Sequence, residues 1–216
     1  MGAVSTANYS SAATSYETCP MGTHAARCVG VIELGVQKNF FYNPKEDAPE
    51  KEYVKKLMIQ FEINELMQDG RPFVVSWDGA NTLGKGSNLL EMLNAWRGKN
   101  FTPEELKRFE YKNILDKPCV VAVVHGKPNA KGNIWARVKT ASAPMKGVTL
   151  PERQNDLVDF GIDEIGSEVF TKLPNFIKDT IWKSQEGIEY GNKNVQEVPK
   201  SEFAEDHGIT DDDVAF

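Results

Sequence analysis

Residues 53–63 (YVKKLMIQFEI) alternate strictly: Leu57, Ile59, Phe61 and Ile63 share one side, and Lys56, Met58, Gln60 and Glu62 take the other. A period of two over that length marks a β-strand half buried against a core and argues against a helix. Four more segments of strand length accompany it. Residues 27–34 (RCVGVIEL), 72–77 (PFVVSW) and 134–140 (IWARVKT) are rich in β-branched or aromatic residues. Residues 118–125 (PCVVAVVH) form a continuous apolar run, which predicts burial on both faces. Between the third and fourth strands, residues 87–96 (SNLLEMLNAW) read as a helix. Ser87 is its N-cap, Leu89, Leu90, Met92 and Leu93 its apolar stripe, and Gly98 its stop, with Trp96 on the core side. Thr102, Pro103 and Glu105 then open a second helical piece with a capping box.

Five strands with a helix between the third and fourth is the element order of an OB-fold, a small Greek-key barrel. The expected class is therefore mainly β with helical additions: a five-stranded OB-fold barrel, a disordered N-terminal arm and an acidic C-terminal tail. The expected units are an arm over 1–20, the barrel over 21–150, a helical extension over 151–186 and a disordered tail over 187–216. The extension rests on residues 173–184 (LPNFIKDTIWKS), read as an amphipathic helix burying Phe176, Ile177, Ile181 and Trp182. The first 18 residues are Ser/Ala/Thr-rich and lack the basic start and apolar stretch of a secretory signal. No run of about 18 apolar residues occurs, so no membrane partner is expected.

The net charge of −6 at first disfavours a nucleic-acid partner, but it averages two unlike parts. Residues 27–150 carry 19 Lys/Arg and 14 Asp/Glu, a balance of +5; residues 151–216 carry 6 and 16, a balance of −10; Glu17, the one charge of the first 26 residues, supplies the remaining −1. A basic body can attract phosphates while an acidic tail repels them. Three cysteines, Cys19, Cys28 and Cys119, lack metal-ligand spacing; Cys28 and Cys119 lie in apolar runs and are expected to be buried. A reducing cytoplasm is the expected location, and no cofactor is expected.

Single strands are held by cations along the backbone and by aromatic rings that stack on bases. If Ile134, Ala136 and Val138 face the core, Trp135, Arg137 and Lys139 face outward together. Further candidates are Lys38 with Phe40, Phe41 and Tyr42 in the loop after the first strand, Lys56 on the second strand, Trp77 at the end of the third, and Lys127 and Lys131 in the loop before the fifth. For Trp135 the competing role is a ring covered by the tail, and for Phe40 and Phe41 a hydrophobic plug. Arg97 and Lys99 are read as solvated ions rather than phosphate contacts. Residues 79–86 (GANTLGKG) lack the order of a phosphate-binding loop. Asp156, Asp159, Asp163 and Glu164 could hold Mg²⁺ in a nuclease, but a solvated linker accounts for them better. No catalytic arrangement is recognisable, so an enzyme is not expected.

The chain ends Asp211, Asp212, Asp213, Val214, Ala215, Phe216. A terminal ring can enter a pocket while the aspartates meet a basic rim. This tip resembles that of bacterial and phage single-stranded DNA-binding proteins, which end in an acidic run, a short apolar pair and Phe. The segments 22–35 (GTHAARCVGVIELG), 96–102 (WRGKNFT) and 118–125 are similar to a family of phage single-stranded DNA-binding proteins, as is 173–178 (LPNFIK). The resemblance implies sequence-tolerant capture of single-stranded DNA during replication or recombination. It also implies docking of the tip onto a polymerase, a helicase/primase or a recombinase, with the tip competing with DNA for the basic groove. Whether copies assemble into a homo-oligomer stays open. The rival expectation is a barrel that acts as a protein–protein adaptor and binds no nucleic acid.

Overall fold

The computed structural model describes residues 17–46, 49–128, 134–147, 150 and 152–195. It is a mainly antiparallel β-sheet with a few helices. Its spine is β1 (Gly22–Lys38), far longer than the segment 27–34 that the sequence marks. One edge of β1 pairs with β2 (Tyr53–Leu66), from Ala26 opposite Ile63 to Lys38 opposite Tyr53. The other edge is shared. β4 (Pro118–His125) takes Gly22 to Arg27, and the short β6 (Val158–Phe160) runs parallel to Gly30–Ile32. Register slips against β2 between Cys28 and Gly30 and between Glu33 and Gly35 mark bulges, which bend a strand.

The sheet order is β3-β2-β1-β4-β5, with β3 spanning Pro72–Ala80 and β5 spanning Ala136–Ser142. The sheet is open. Its edges β3 and β5 approach within 8 Å between Cα atoms but form no ladder among the described residues. A strap, residues 17–20, ties the two sides of the gap. The Glu17 carboxylate accepts from the Gln68 N–H (2.9 Å), and the Thr18 hydroxyl donates to the Ile134 carbonyl (3.1 Å).

Two cores lie on opposite faces of β1. The larger takes Cys28 and Val31, the inward row Leu57, Ile59, Phe61 and Ile63 of β2, and Leu89, Met92, Leu93 and Trp96 of α1 (Asn88–Arg97). Ser87 caps α1 as expected, and Gly98 ends it at φ 76°, in the left-handed region that favours glycine. α2 (Pro103–Lys107) opens with the expected Thr102–Glu105 capping box. Cys28, Cys119 and also Cys19 are buried; burial pushes their thiols up, Cys19 to about 11 and Cys28 to about 12. None is a ready nucleophile at neutral pH.

The second core corrects the sequence reading of the extension. Ile32 and Leu34 of β1 pack against Phe160, Ile165, Phe170 of α3 (Glu168–Lys172), Leu173, and Ile177 and Ile181 of α4 (Asn175–Trp182). Met58, placed on a solvent face by its alternation, packs against this core, and Glu62 on the same side is buried. The Glu62 carboxylate accepts from the backbone N–H of Gln154 (3.1 Å) and Asn155 (2.8 Å) and from the Asn155 side-chain amide (2.6 Å). The segment read as a solvated linker is therefore folded: Asp159 lies in β6, and Glu164 accepts from the Gly161 N–H (2.8 Å). Only half of the predicted stripe is buried, because Phe176 and Trp182 are exposed. α5 (Gln185–Val195) carries helix past the boundary placed at residue 186. Its Glu186 accepts from the Val36 N–H (2.8 Å), across from Gly35 at φ 74°. A Cβ at Gly35 would meet Ser184 at 2.7 Å, so this approach requires glycine.

No helix among the described residues is long and apolar enough to cross a membrane. Lys131 and the tip 211–216 lie outside the described residues, as do residues 1–16 of the arm.

Candidate nucleic-acid interface

The loop between β1 and β2 is organised by Asn39. Its N–H donates to the Glu52 carbonyl (2.8 Å) and its side-chain amide to the Lys51 carbonyl (2.9 Å), which closes the loop base. Its side-chain oxygen and its carbonyl accept from the Phe41 and Tyr42 N–H groups (both 3.1 Å), which turns the chain back. That turn places Phe40 at 88 % and Phe41 at 92 % exposure. Neither is the plug that would have filled a core, whereas Tyr42 is half-buried. The Lys56 ammonium stands 6.0 Å from the Phe40 ring centroid, a cation–π distance. Lys38, Lys45, Lys51 and Lys55 are exposed around the same loop, and Tyr53 adds a half-exposed ring. Tyr53 and Lys55 share the face of Leu57 by alternation and are exposed because the core begins only at Leu57, which the sequence pattern does not mark.

A second group sits at the start of β5. Trp135 precedes the strand, and its carbonyl accepts from the Gly126 N–H (2.9 Å), which pins the base of the β4–β5 loop. Trp135 is 51 % exposed; Arg137 and Lys139 follow it in sequence and Lys127 follows its backbone partner Gly126, and all three are exposed. Val138 is buried and Ala136 partly so, as the alternation requires, but Ile134, expected on the same side, is exposed ahead of the strand. The ladder then slips: Val123 opposes Val138 while Ala122 opposes Thr140, so Lys139 is the extra residue of a bulge. Lys139 and Thr140 are consequently both exposed, and the outward row is broken after Arg137.

Trp77 does not belong to either group. It opposes Ile59 in the ladder, is 6 % exposed and lies in the larger core. This corrects its assignment as a stacking residue. The signal was present, because Phe73, Val75 and Trp77 share one parity and all three are buried.

The structure does not gather the remaining candidates at one point. Lys38 marks one end of β1, opposite Tyr53, and Gly22 the other, opposite Val123. A straight strand of that length would span roughly 50 Å at about 3.3 Å per residue, and the bulges bend it. The two aromatic–cationic groups are therefore separate stations at opposite ends of β1. Chemically, each offers an exposed ring with nearby ammonium or guanidinium groups. Arg97 is engaged elsewhere: it forms an ion pair with Glu105 (2.7 Å from Nη1 to Oε2) and covers the Phe101 ring at 4.4 Å. Among the described residues, no group of three or more His, Cys, Asp or Glu side chains could hold a metal ion. No protein-family model and no curated protein matches this chain.

Proposed function

We propose that the chain binds single-stranded DNA without sequence preference, on an OB-type barrel whose C-terminal tip engages replication or recombination proteins. The observation that carries this reading is the pair Phe40 and Phe41. Two adjacent rings left almost wholly in water, collared by lysines, have little structural use and suit bases that need a stacking surface. The sheet order β3-β2-β1-β4-β5, with α1 inserted between β3 and β4, supports the OB assignment. That fold is a partly open five-stranded barrel, and its β1–β2 and β4–β5 loops border the oligonucleotide site. The two stations described above sit in those loops. Fold likeness alone does not give function, so the exposed side chains bear the weight.

The test is a titration of the full chain with oligo-dT at low salt, read by intrinsic tryptophan fluorescence and by gel shift. Quenching and a shifted band are expected. Unchanged fluorescence together with no shifted band would overturn the reading, and a partner that is retained after nuclease treatment would then favour the adaptor.

A further inference from the structure

An apolar groove of about 580 Å³ lies against α1 and α2, with Trp96, Phe101, Phe109, Ile114 and Pro118 as its floor. Pro118 opens β4, and Trp135 bonds to Gly126 just past the end of that strand. Roughly 25 Å of strand, at about 3.3 Å per residue, therefore separates the groove from the second station. Pro118 opposes Arg27 in the middle of β1, whereas Lys38 ends that strand, which keeps the groove apart from the first station as well. The groove offers little ring face for a base to stack on. Arg97 covers Phe101 at 4.4 Å from its centroid. Phe109 meets Phe101 and Tyr111 edge to face, at 5.3 and 5.5 Å. Trp96 is 7 % exposed and donates its indole N–H to the Pro118 carbonyl (2.8 Å).

The rim is charged, and its uncompensated charge has one sign. Glu105, the one acid that lines the groove, is neutralised by Arg97. Arg108 and Lys117 are exposed on the rim and form no salt bridge among the described residues. Asn113 adds an exposed amide beside them. An apolar floor under two such cations is complementary to apolar side chains flanked by carboxylates: the apolar anchors lose water on the floor, and the acids meet the rim. A basic segment would be repelled by Arg108 and Lys117, and a wholly apolar one would leave both cations facing it without a partner.

We propose that this groove receives an acidic amphipathic segment of a partner protein, a few bulky apolar residues with Asp or Glu beside them. The apolar side chains occupy the floor over Phe101, Phe109 and Ile114, and the carboxylates face Arg108 and Lys117. The site shares no side chain with the two aromatic stations, so a partner held here and a nucleic acid held there do not exclude one another. The inference goes beyond the proposed function and does not rest on DNA binding, which the oligo-dT titration reads separately.

The test pans the full chain, in the presence of excess oligo-dT, against a phage-displayed library of random short peptides. Enrichment of sequences that set aromatic or aliphatic residues beside Asp or Glu is expected. The leading peptide, synthesised with a fluorophore and a photoreactive leucine, should crosslink to the stretch 93–118. By anisotropy it should bind about tenfold or more weakly to the double variant Arg108→Glu, Lys117→Glu. Both positions are exposed, so the thermal transition of that variant should match the parent. Asn113→Trp, which fills the groove without changing its charge, should weaken binding too and serves where the charge reversal disturbs the fold. No enrichment, enriched sequences without acids, crosslinks outside 93–118, or undiminished affinity for these variants would each overturn the proposal.

Discussion

At the scale of single residues, exposure divides the aromatic side chains into two jobs. Phe40 and Phe41 have almost no packing to lose. Replacing both by Ala should leave the thermal transition within error of the parent while weakening oligo-dT binding. Stacking contributes roughly 1–3 kcal/mol per base, so the loss should be about tenfold or more. Fluorescence or gel-shift titration of the double variant checks this; unchanged affinity would remove the pair from the site. Trp77 predicts the opposite outcome. Truncation to Ala should cost about 3–5 kcal/mol of stability by leaving a cavity beside Ile59, seen as a lowered denaturation midpoint. Among the four tryptophans, Trp77 and Trp96 are buried and Trp135 is half exposed, so Trp135→Phe should remove most of the DNA-induced quenching. Trp182, exposed on α4, serves as the control whose replacement should leave quenching in place.

At the scale of elements, what could be read from sequence depended on how many faces an element buries. β2 shows one alternating row because its inner face is packed from Leu57 to Ile63, and that row is visible in the sequence. Its other row holds Met58 and Glu62, whose polarity or flexibility disguises burial under the C-terminal extension. A carboxylate on a strand reads as solvent-facing unless the segment that hydrogen-bonds it is known, and here that segment lies some ninety positions away. Likewise Lys139 looked outward by parity, but the bulge at the β4 ladder could not be seen from β5 alone. Glu62→Gln should loosen residues 154–155 from β2. The amide cannot accept all the N–H groups that the carboxylate does, and a cost of about 1–3 kcal/mol follows. Faster amide exchange at Gln154 and Asn155 would report it.

The α1–α2 junction gives a sharper electrostatic test. The Arg97 guanidinium and the Thr102 N–H hold the Glu105 carboxyl down to about 2, from an ordinary 4.5. A carboxyl lowered by folding adds stability that is fully present above its unfolded value and is lost as pH falls through its folded value. The capping box should therefore survive acidification from pH 4.5 and open only near pH 2. In an NMR titration Glu105 should titrate near 2, well below exposed glutamates, and Arg97→Ala should move it back toward 4.5.

At the scale of the whole molecule, charge and architecture separate what composition averages. The −6 of the full chain is the sum of a basic sheet-and-loop body at +5, an acidic C-terminal portion at −10 and Glu17 at −1, and the folded extension holds only part of those acids. β1 is the structural reason the two parts belong together, since the barrel-side core and the helical core use opposite faces of the same strand. Removing the extension at residue 150 would strip Ile32 and Leu34 of their cover and should yield insoluble protein, whereas a chain lacking residues 211–216 keeps every described side chain of both cores. The shorter deletion should keep the thermal transition and leave oligo-dT affinity equal or higher, because three aspartates that repel phosphate are gone. Binding by either chain should weaken as salt rises, with a log–log slope near −0.7 per phosphate contacted on a single strand. If the tail leaves the two stations free, the slopes of intact and shortened chains should coincide, since the same lysines at the two stations meet the phosphates in both. A shallower slope for the intact chain would mean that the tail masks those lysines, and a large loss of affinity on deletion would mean that the tip itself belongs to the DNA site.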